Sequence, residues 1–388
     1  MAGSGEAYFL QSLFDPDRIM NTTPPLLDLL GVSWQVKAPA LALAWDPRGR
    51  TLGCALRDGI VVLADSAWEG GPTLVPRPGG GSEVVAAKQA APEPLRVRAH
   101  PGACLDLRAD RLGGFLTGGA DGRLVHISTS GACSQLATRP GQPVDAVASG
   151  SAGVRAWACG KNVYRLRLQR EDSIELTNTA TALAFDPAGC CLAIAHAGGV
   201  TLWALAESDS QAAPRHLAWP GDHLALTWSR DGRYLVSGLA EDALHGWSVA
   251  EGSDIELHPY PGQPRSLAFS SDGRYLVAAG ASRPTLWGFD PPGSGEAPDT
   301  CGSPGKTPAT QVACHPNQTL IAAGYQHGAV ALCQPGSADV LVVKGSGEGA
   351  VTALAWSPDG ERLGFGTADG SFGWVNLPAA LFRVRGAA

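Results

Sequence analysis

Histidine and cysteine residues are the first places in this sequence where chemistry could reside. His216 and His223 are seven residues apart, and Cys190 and Cys191 are adjacent. No HExxH motif surrounds the histidines, and adjacent residues of a strand point to opposite faces, so neither pair has the geometry of a metal site. The nine cysteines are irregularly spaced and form no CxxC motif. We expect no metal, and we interpret the cysteines as buried thiols of a protein in a reducing compartment, the cytoplasm.

Motifs for nucleophilic catalysis and for nucleotide binding also lack the context that they need. The string GSAG at 150–153 does not have the spacing of a nucleophile elbow, and GSG at 345–347 precedes a strand rather than a strand-to-helix turn. There is no GxxxxGK[ST], and the glycines at 79–81 lie in a proline-rich segment. The sequence therefore predicts no catalytic residue, no cofactor-binding residue and no cofactor.

The overall charge and hydropathy exclude other classes of partner. The 388 residues carry a formal net charge of −7, and no run of Lys or Arg could follow a phosphate backbone. No apolar stretch reaches the ~20 residues of a membrane-spanning helix, and the first residues lack a basic, then apolar, secretory pattern. We expect neither nucleic acid nor membrane as a partner. Arginine far exceeds lysine, as suits a GC-rich coding genome such as a bacterial one.

An internal repeat dominates the rest of the chain. The stretches 226–247 (LTWSRDGRYLVSGLAEDALHGW) and 267–289 (LAFSSDGRYLVAAGASRPTLWGF) align almost by eye. In each copy one residue precedes an SPDG-like turn. There are eight such residues: Trp45, Ala109, Ser149, Phe185, Trp228, Phe269, Cys314 and Trp356. Except for the first, their spacings are near the ~40–45-residue period of propeller blades.

Each repeat predicts one antiparallel sheet. Two strands flank the SPDG-like turn, a tight turn such as Asp58-Gly59 or Asp121-Gly122 leads to a third strand, and an outer strand precedes the next unit. One such sheet cannot cover its own apolar faces, but a closed ring of them can. Eight units predict eight blades, with seven as the alternative. The segment VSWQVK (32–37) is placed to supply the outer strand of the last blade.

These features resemble the WD-repeat family of β-propellers, of which the chain is a divergent member because the Trp-Asp dipeptide itself is absent. The resemblance rests on the SPDG-like turn, on the Asp-containing tight turn, and on the tryptophans that end the third strand: Trp203, Trp247, Trp287 and Trp374. We interpret these tryptophans as core residues. The family implies an all-β fold, a single closed β-propeller of four-stranded antiparallel blades.

The family also implies a hydrogen-bonded network of His, Ser or Thr, Asp and Trp inside each blade, which no unit clearly completes. The second unit has His100, Thr117 and Asp121 but ends in an isoleucine. The fifth unit has Ser237, Asp242 and Trp247. Near the position where its histidine is expected stands Trp219.

The predicted domain boundaries follow from the extent of the repeats. They are an N-terminal arm at 1–31, the propeller at 32–377 with flexible insertions near 76–94 and 290–308, and a tail at 378–388. The arm has apolar residues at helical spacing: Phe9, Leu10, Leu13 and Phe14. It could pack on the propeller, fold on a partner, or remain disordered.

The resemblance implies a non-catalytic scaffold that binds one or more proteins on one rim of the ring. That rim consists of the turns between second and third strands and of the loops that enter first strands. The residues predicted there are Arg57, Asp222, Glu241, Gln263, Arg283, Gln326 and His327, with Trp219 and Tyr260 as candidate aromatic anchors. The alternative is an enzyme or small-ligand-binding propeller that uses the mouth of the central channel, which requires converging carboxylates or histidines.

Overall fold

The computed structural model describes residues 24–68, 70–77, 82–205, 213–257, 260, 262–289, 297–378 and 381. The apolar residues of the predicted arm at 9–14 lie outside these ranges. Within them, no helix has both the length and the apolar character needed to cross a membrane. The described chain begins with a short helix, α1 (Leu26–Leu30), and a strand, β1 (Gly31–Gln35).

Short antiparallel strands joined by tight turns make up almost all of the structure. Sheet 1 contains β2 (Ala40–Trp45), β3 (Thr51–Leu56), β4 (Ile60–Asp65) and β7 (Leu95–Arg98). Sheet 2 contains β8 (Cys104–Ala109), β9 (Phe115–Gly119), β10 (Arg123–Ile127) and β11 (Cys133–Thr138). Sheet 3 contains β12 (Ala146–Ser149), β13 (Arg155–Cys159), β14 (Asn162–Arg167) and β15 (Arg170–Glu175), with a 3-10 turn at Ser151–Gly153.

The second half of the ring continues this pattern. Sheet 4 contains β16 (Ala180–Phe185), β17 (Cys191–Ala204), β18 (Arg215–Trp228), β19 (Tyr234–Leu239), β20 (Leu244–Ser248) and β21 (Ser253–Leu257). Sheet 5 contains β22 (Leu267–Phe269), β23 (Tyr275–Ala278), β24 (Thr285–Gly288) and β25 (Asp299–Thr300). Sheet 6 contains β26 (Ala309–Cys314), β27 (Ile321–Tyr325), β28 (Val330–Cys333) and β29 (Leu341–Lys344). Sheet 7 contains β30 (Val351–Trp356), β31 (Arg362–Thr367), β32 (Ser371–Asn376) and β1.

The number of blades differs from the sequence prediction. Among the described residues, the ring has six four-stranded sheets and one six-stranded sheet, which makes seven. The fourth and fifth sequence units share sheet 4, because β18 is one uninterrupted strand of 14 residues. It pairs with β17 as far as Asp222 and with β19 from His223 onward. With each continuous sheet counted as one blade, the propeller has seven blades. The prediction of eight separate four-stranded blades is wrong, because backbone hydrogen bonding continues where a break between two sheets was expected.

The ring closes between the two ends of the repeat region, as VSWQVK predicts. β1 pairs antiparallel with β32, from Gly31 opposite Val375 to Gln35 opposite Ser371. The indole of Trp34 lies 5.4 Å from the ring of Phe372 and 5.3 Å from that of Trp374, centroid to centroid. The pairing covers the edge of β32 and gives sheet 7 its fourth strand.

Apolar clusters fill the space between neighbouring sheets. The four tryptophans that end third strands are buried, as predicted, with exposures of 1–5%: Trp203, Trp247, Trp287 and Trp374. Three tryptophans at the ends of first strands also link neighbouring units. Their indole N–H groups donate to main-chain carbonyls: Trp45 to Ala355, Trp228 to Ala184 and Trp356 to Ala313. α1 adds Leu26 and Leu30 to the cluster between sheets 6 and 7.

The segment at 76–94, predicted as a flexible insertion, contains part of a hairpin. β5 (Thr73–Pro76) and β6 (Ser82–Val85) pair with each other in a separate two-stranded sheet. The Asn376 side chain donates to the carbonyl of Pro72 at 3.3 Å, so the start of the insertion lies against sheet 7.

A side-chain acceptor fixes most of the SPDG-like turns. In the first unit the Asp46 carboxylate accepts the backbone N–H groups of Arg50 and Thr51, each at 2.7 Å. In the seventh unit His315 takes this place. Its Nδ1 accepts the N–H groups of Asn317 and Gln318, both at 3.0 Å, and its Nε2 donates to the carbonyl of Gly360 at 3.1 Å. His315 can make these hydrogen bonds, both within its own turn and from sheet 6 to sheet 7, only as a neutral imidazole.

Acid should destabilise the protein through its buried histidines. Burial is the main cause that lowers the pKa of three of them below the ordinary value of about 6.5: His100, His223 and His315. Below that pH these histidines are protonated in the unfolded chain but remain neutral in the folded protein. The free energy of unfolding should therefore fall as the pH drops from 7.5 to 5.5. His315→Asn, whose side-chain oxygen can accept the same N–H groups without titrating, should show a shallower fall. Urea unfolding across this pH range measures both slopes, and equal slopes would contradict the prediction for His315.

Candidate protein-binding rim

The strand order places the predicted binding residues at one end of the ring. Because consecutive strands are antiparallel, the loop that enters the first strand and the turn between the second and third strands lie at the same end of each sheet. We call this end of the ring the binding rim. The turns between second and third strands contain Arg57, Glu241, Arg283, Gln326 and His327. Asp222 and Gln263 lie where the chain enters a first strand.

Three of the predicted residues come together where sheet 4 meets sheet 5. The backbone N–H of Asp222 donates to the Glu241 carboxylate at 3.3 Å, and the Gln263 amide donates to the carbonyl of Ala240 at 3.1 Å. The Arg265 guanidinium in turn donates to the Gln263 side-chain oxygen at 3.1 Å. All four of these polar side chains are exposed. They form a mixed polar surface that neighbouring loops hold in place.

Three further predicted residues are exposed in other sheets of the same rim. Arg57 lies in sheet 1, and its backbone N–H donates to the carbonyl of Pro39. Gln326 and His327 lie in sheet 6, where backbone hydrogen bonds tie them to Pro308 and Gly347. Their side chains are exposed, while the turns that carry them are anchored.

The remaining three predicted residues turn inward. Tyr260 is 6% exposed, and its hydroxyl donates to the carbonyl of Ala279 at 2.6 Å. The indole of Trp219 is half-buried and stacks on His245 at 3.5 Å. The Nε of Arg283 is buried, with no hydrogen-bond partner among the described residues. The structure therefore does not present these residues as exposed anchors; burial against neighbouring strands, which the loop position alone did not reveal, is the reason.

Histidine networks beneath the rim hold two of its turns. His100 bridges Asp121 at 2.9 Å and Thr117 at 3.3 Å, which joins the loop that enters sheet 2 to its tight turn. In the fifth unit His223 bonds Ser237 at 2.6 Å. The expected histidine position is therefore filled by His223 and not by Trp219. His223 is fully buried and lies four residues after Trp219 in the chain, inside β18 rather than in the loop before a first strand.

Sequence reasoning missed other charged residues at this end. The Lys344 ammonium donates to the carbonyl of Gly328 at 3.0 Å, and burial lowers the pKa of this group. The guanidinium of Arg98 donates to the carbonyl of Asp58 at 3.2 Å. Both residues lie at the ends of outer strands, a position that the repeat pattern marks as variable. Together with Arg57 and Glu241, they give the rim charges of both signs.

The described residues contain no group of three or more metal-ligating side chains. A cavity of about 300 Å³ lies away from the channel, between β1 and the segment before β5, and includes Trp68 and Arg362 in its lining. The arrangement at the rim supports hydrogen bonding and ion pairing with a polypeptide.

Comparison with known proteins agrees with this architecture. The family model of the anaphase-promoting complex subunit 4 WD40 domain matches residues 312–380. Sqt1 from Chaetomium thermophilum superposes with a TM-score of 0.65 at 15% identity, covering 90% of this chain and 99% of Sqt1. These likenesses show the fold, a β-propeller, and the family match lies within its last two sheets. The computationally designed Ika8 protein is similar to this chain with a TM-score of 0.68 at 14% identity, covering 90% of this chain and 99% of Ika8.

A second structure of Sqt1 has a partner bound. It is the Chaetomium thermophilum Sqt1 in complex with the N-terminus of the ribosomal protein L10, with a TM-score of 0.63 at 15% identity, and the match covers 88% of this chain and 97% of that chain. No curated protein matches the sequence. The bacterial source that the arginine excess suits gains no support from these comparisons.

Proposed function

We propose that the chain is a non-catalytic scaffold that binds a segment of a partner protein on the binding rim. The observation that carries this proposal is the set of exposed polar side chains on anchored turns at one end of the ring: Arg57, Asp222, Glu241, Gln263, Gln326 and His327. A surface that is held before binding loses little conformational entropy when a partner docks. Charges of both signs favour a polypeptide with mixed charges over a polyanion.

Two further considerations support a protein partner. A solved propeller of similar fold, Sqt1, binds the N-terminus of a ribosomal protein. WD-repeat propellers are generally scaffolds without catalytic activity. We further propose that the protein works in the cytoplasm, where its many thiols are kept reduced.

Loss of the exposed rim side chains should abolish partner capture. The test is affinity purification of the tagged full chain from its own cells, with mass spectrometry of the bound proteins. The rim variant combines Arg57→Ala, Asp222→Ala, Glu241→Ala and His327→Ala. We expect one or more stoichiometric protein partners to be absent from the proteins that co-purify with this variant. The substituted side chains are exposed, and a rigid surface cannot rearrange other side chains to replace their contacts.

A matched control alters the opposite end of the ring. It combines four exposed residues from the turns there: Arg48→Ala, Arg111→Ala, Glu251→Ala and Glu361→Ala. This control should keep the partners, and circular dichroism should show both variants folded. Partners that survive in the rim variant but not in the control would move the interface to the other end. Absence of any protein partner in the unmodified chain would refute the scaffold proposal.

A further inference from the structure

Two buried cysteines from neighbouring sheets lie in direct contact. Cys301 follows β25, the outer strand of sheet 5, and Cys333 ends β28, the third strand of sheet 6. Their exposures are 0% and 1%, and their Sγ atoms are 2.7 Å apart. A disulfide bond is about 2.05 Å long, so a small further approach of the two sulfur atoms would bring them to bonding distance.

The backbone around Cys301 keeps the two sulfur atoms together. Gly302 donates its N–H to the carbonyl of Ser337 at 3.1 Å, and the Ser303 hydroxyl donates to the carbonyl of Ala338 at 3.3 Å. The chain after Cys301 is thus hydrogen-bonded to the loop that follows Cys333. Gly302 has a φ of +82°, and an added Cβ there would lie 3.6 Å from the Cys333 Cβ, so its backbone closely approaches Cys333.

A partly buried cation lies beside the pair, since the Arg283 guanidinium donates to the carbonyl of Thr300, the residue before Cys301, at 3.5 Å. The Nε of Arg283 is buried without a hydrogen-bond partner in the described part of the chain, and the Arg283 charge favours the thiolate of Cys301. Against this, the contact with Cys333 and burial raise the pKa of the Cys301 thiol. In the closed structure the Cys301 thiol is therefore protonated and slow to react, and Arg283 is the group that would stabilise its thiolate once the pair opens.

We propose that Cys301 and Cys333 are a redox-active dithiol that forms a disulfide between sheets 5 and 6. With oxidised glutathione as the oxidant, one thiolate attacks the glutathione disulfide and releases one glutathione thiol; the second cysteine then attacks the mixed disulfide and releases the other. One Cys301–Cys333 bond forms, one glutathione S–S bond breaks, and two electrons and two protons pass to glutathione.

Access for the oxidant follows from the weak pairing of β25. This strand pairs with β24 through only two residue pairs, Thr285–Thr300 and Leu286–Asp299. Such a short outer strand opens at low cost compared with the rest of a sheet. Oxidation would then fasten this strand covalently to sheet 6 and raise the thermal stability of the ring.

The test is to equilibrate the reduced, folded full chain in glutathione buffers of increasing oxidation, quench with acid and alkylate under denaturing conditions. Peptide mass spectrometry should find Cys301 linked to Cys333 with the loss of two hydrogens, and the melting temperature should rise by a few degrees. Cys301→Ala and Cys333→Ala should each lose the link and the rise. Cys190→Ala, which removes an exposed thiol, should keep both.

Two results would overturn the proposal. One is full alkylation of Cys301 and Cys333 after incubation in oxidised glutathione alone. The other is linkage of either residue mainly to a different cysteine. Because the unmodified chain gives both readouts, the proposal remains testable even if an alanine variant does not fold. Loss of partner binding in the rim variant does not bear on it, since the linkage and the melting temperature are measured on the unmodified chain without a partner.

Discussion

Asp110→Ala should lower the free energy of unfolding by about 3 kcal/mol, because it leaves a cation without its partner between two sheets. The Asp110 side chain is fully buried after β8 in sheet 2. It accepts from the Arg155 guanidinium at 2.7 and 3.0 Å and from the Ser149 hydroxyl at 3.0 Å, both in sheet 3. We place the expected loss at the low end for a buried pair, since the Arg155 side chain is 18% exposed and water can reach part of it.

Urea unfolding of the variants measures this effect. Glu83→Ala is the control, because its pair with Arg77 is more than half exposed on both sides and should contribute less than about 1 kcal/mol. The double variant Asp110→Ala/Arg155→Ala should cost less than the two single changes added together, as expected for groups that act as one pair. A strictly additive double variant would show that the two side chains do not stabilise each other.

Removal of residues 1–35 should abolish the stable monomeric ring. The deletion takes away β1, uncovers the paired edge of β32, and exposes Phe372 and Trp374, on which Trp34 packs. An open strand edge with adjacent apolar side chains is a template for aggregation. We expect the truncated chain to be insoluble, or to elute as aggregates in size-exclusion chromatography.

Two shorter deletions divide this effect. Removal of residues 1–23 keeps both α1 and β1, so the ring can still close through β1 and we expect the melting temperature to stay near that of the unmodified chain. Removal of residues 1–30 deletes α1 and should cost about 3 kcal/mol or more, since Leu26 and Leu30 are both buried and each contributes about 1.5–3 kcal/mol. A soluble, cooperatively melting chain that lacks residues 1–35 would refute the proposed role of β1 in closure.

The repeat made the fold class predictable from sequence. Tight turns with Asp and Gly, together with an aromatic residue at one position of each unit, encode the same local structure wherever they occur, so strand order and the burial of Trp203, Trp247, Trp287 and Trp374 could be predicted. The role of β1 followed from position, because only the segment before the first unit was available to pair with the last. The alternation of strand direction also predicted that the rim residues lie together at one end of the ring.

The features that sequence did not reveal depend on contacts between units. Continuity of β18 merges two units into one sheet, which no turn signal indicates. The side chain that bonds Ser237 is that of His223 rather than a residue at the position of Trp219. Packing alone decides that Arg283 and Tyr260 turn inward. Local sequence thus determined what each unit is, whereas the tertiary structure determined which side chains meet between units, because those contacts join residues that no local pattern relates.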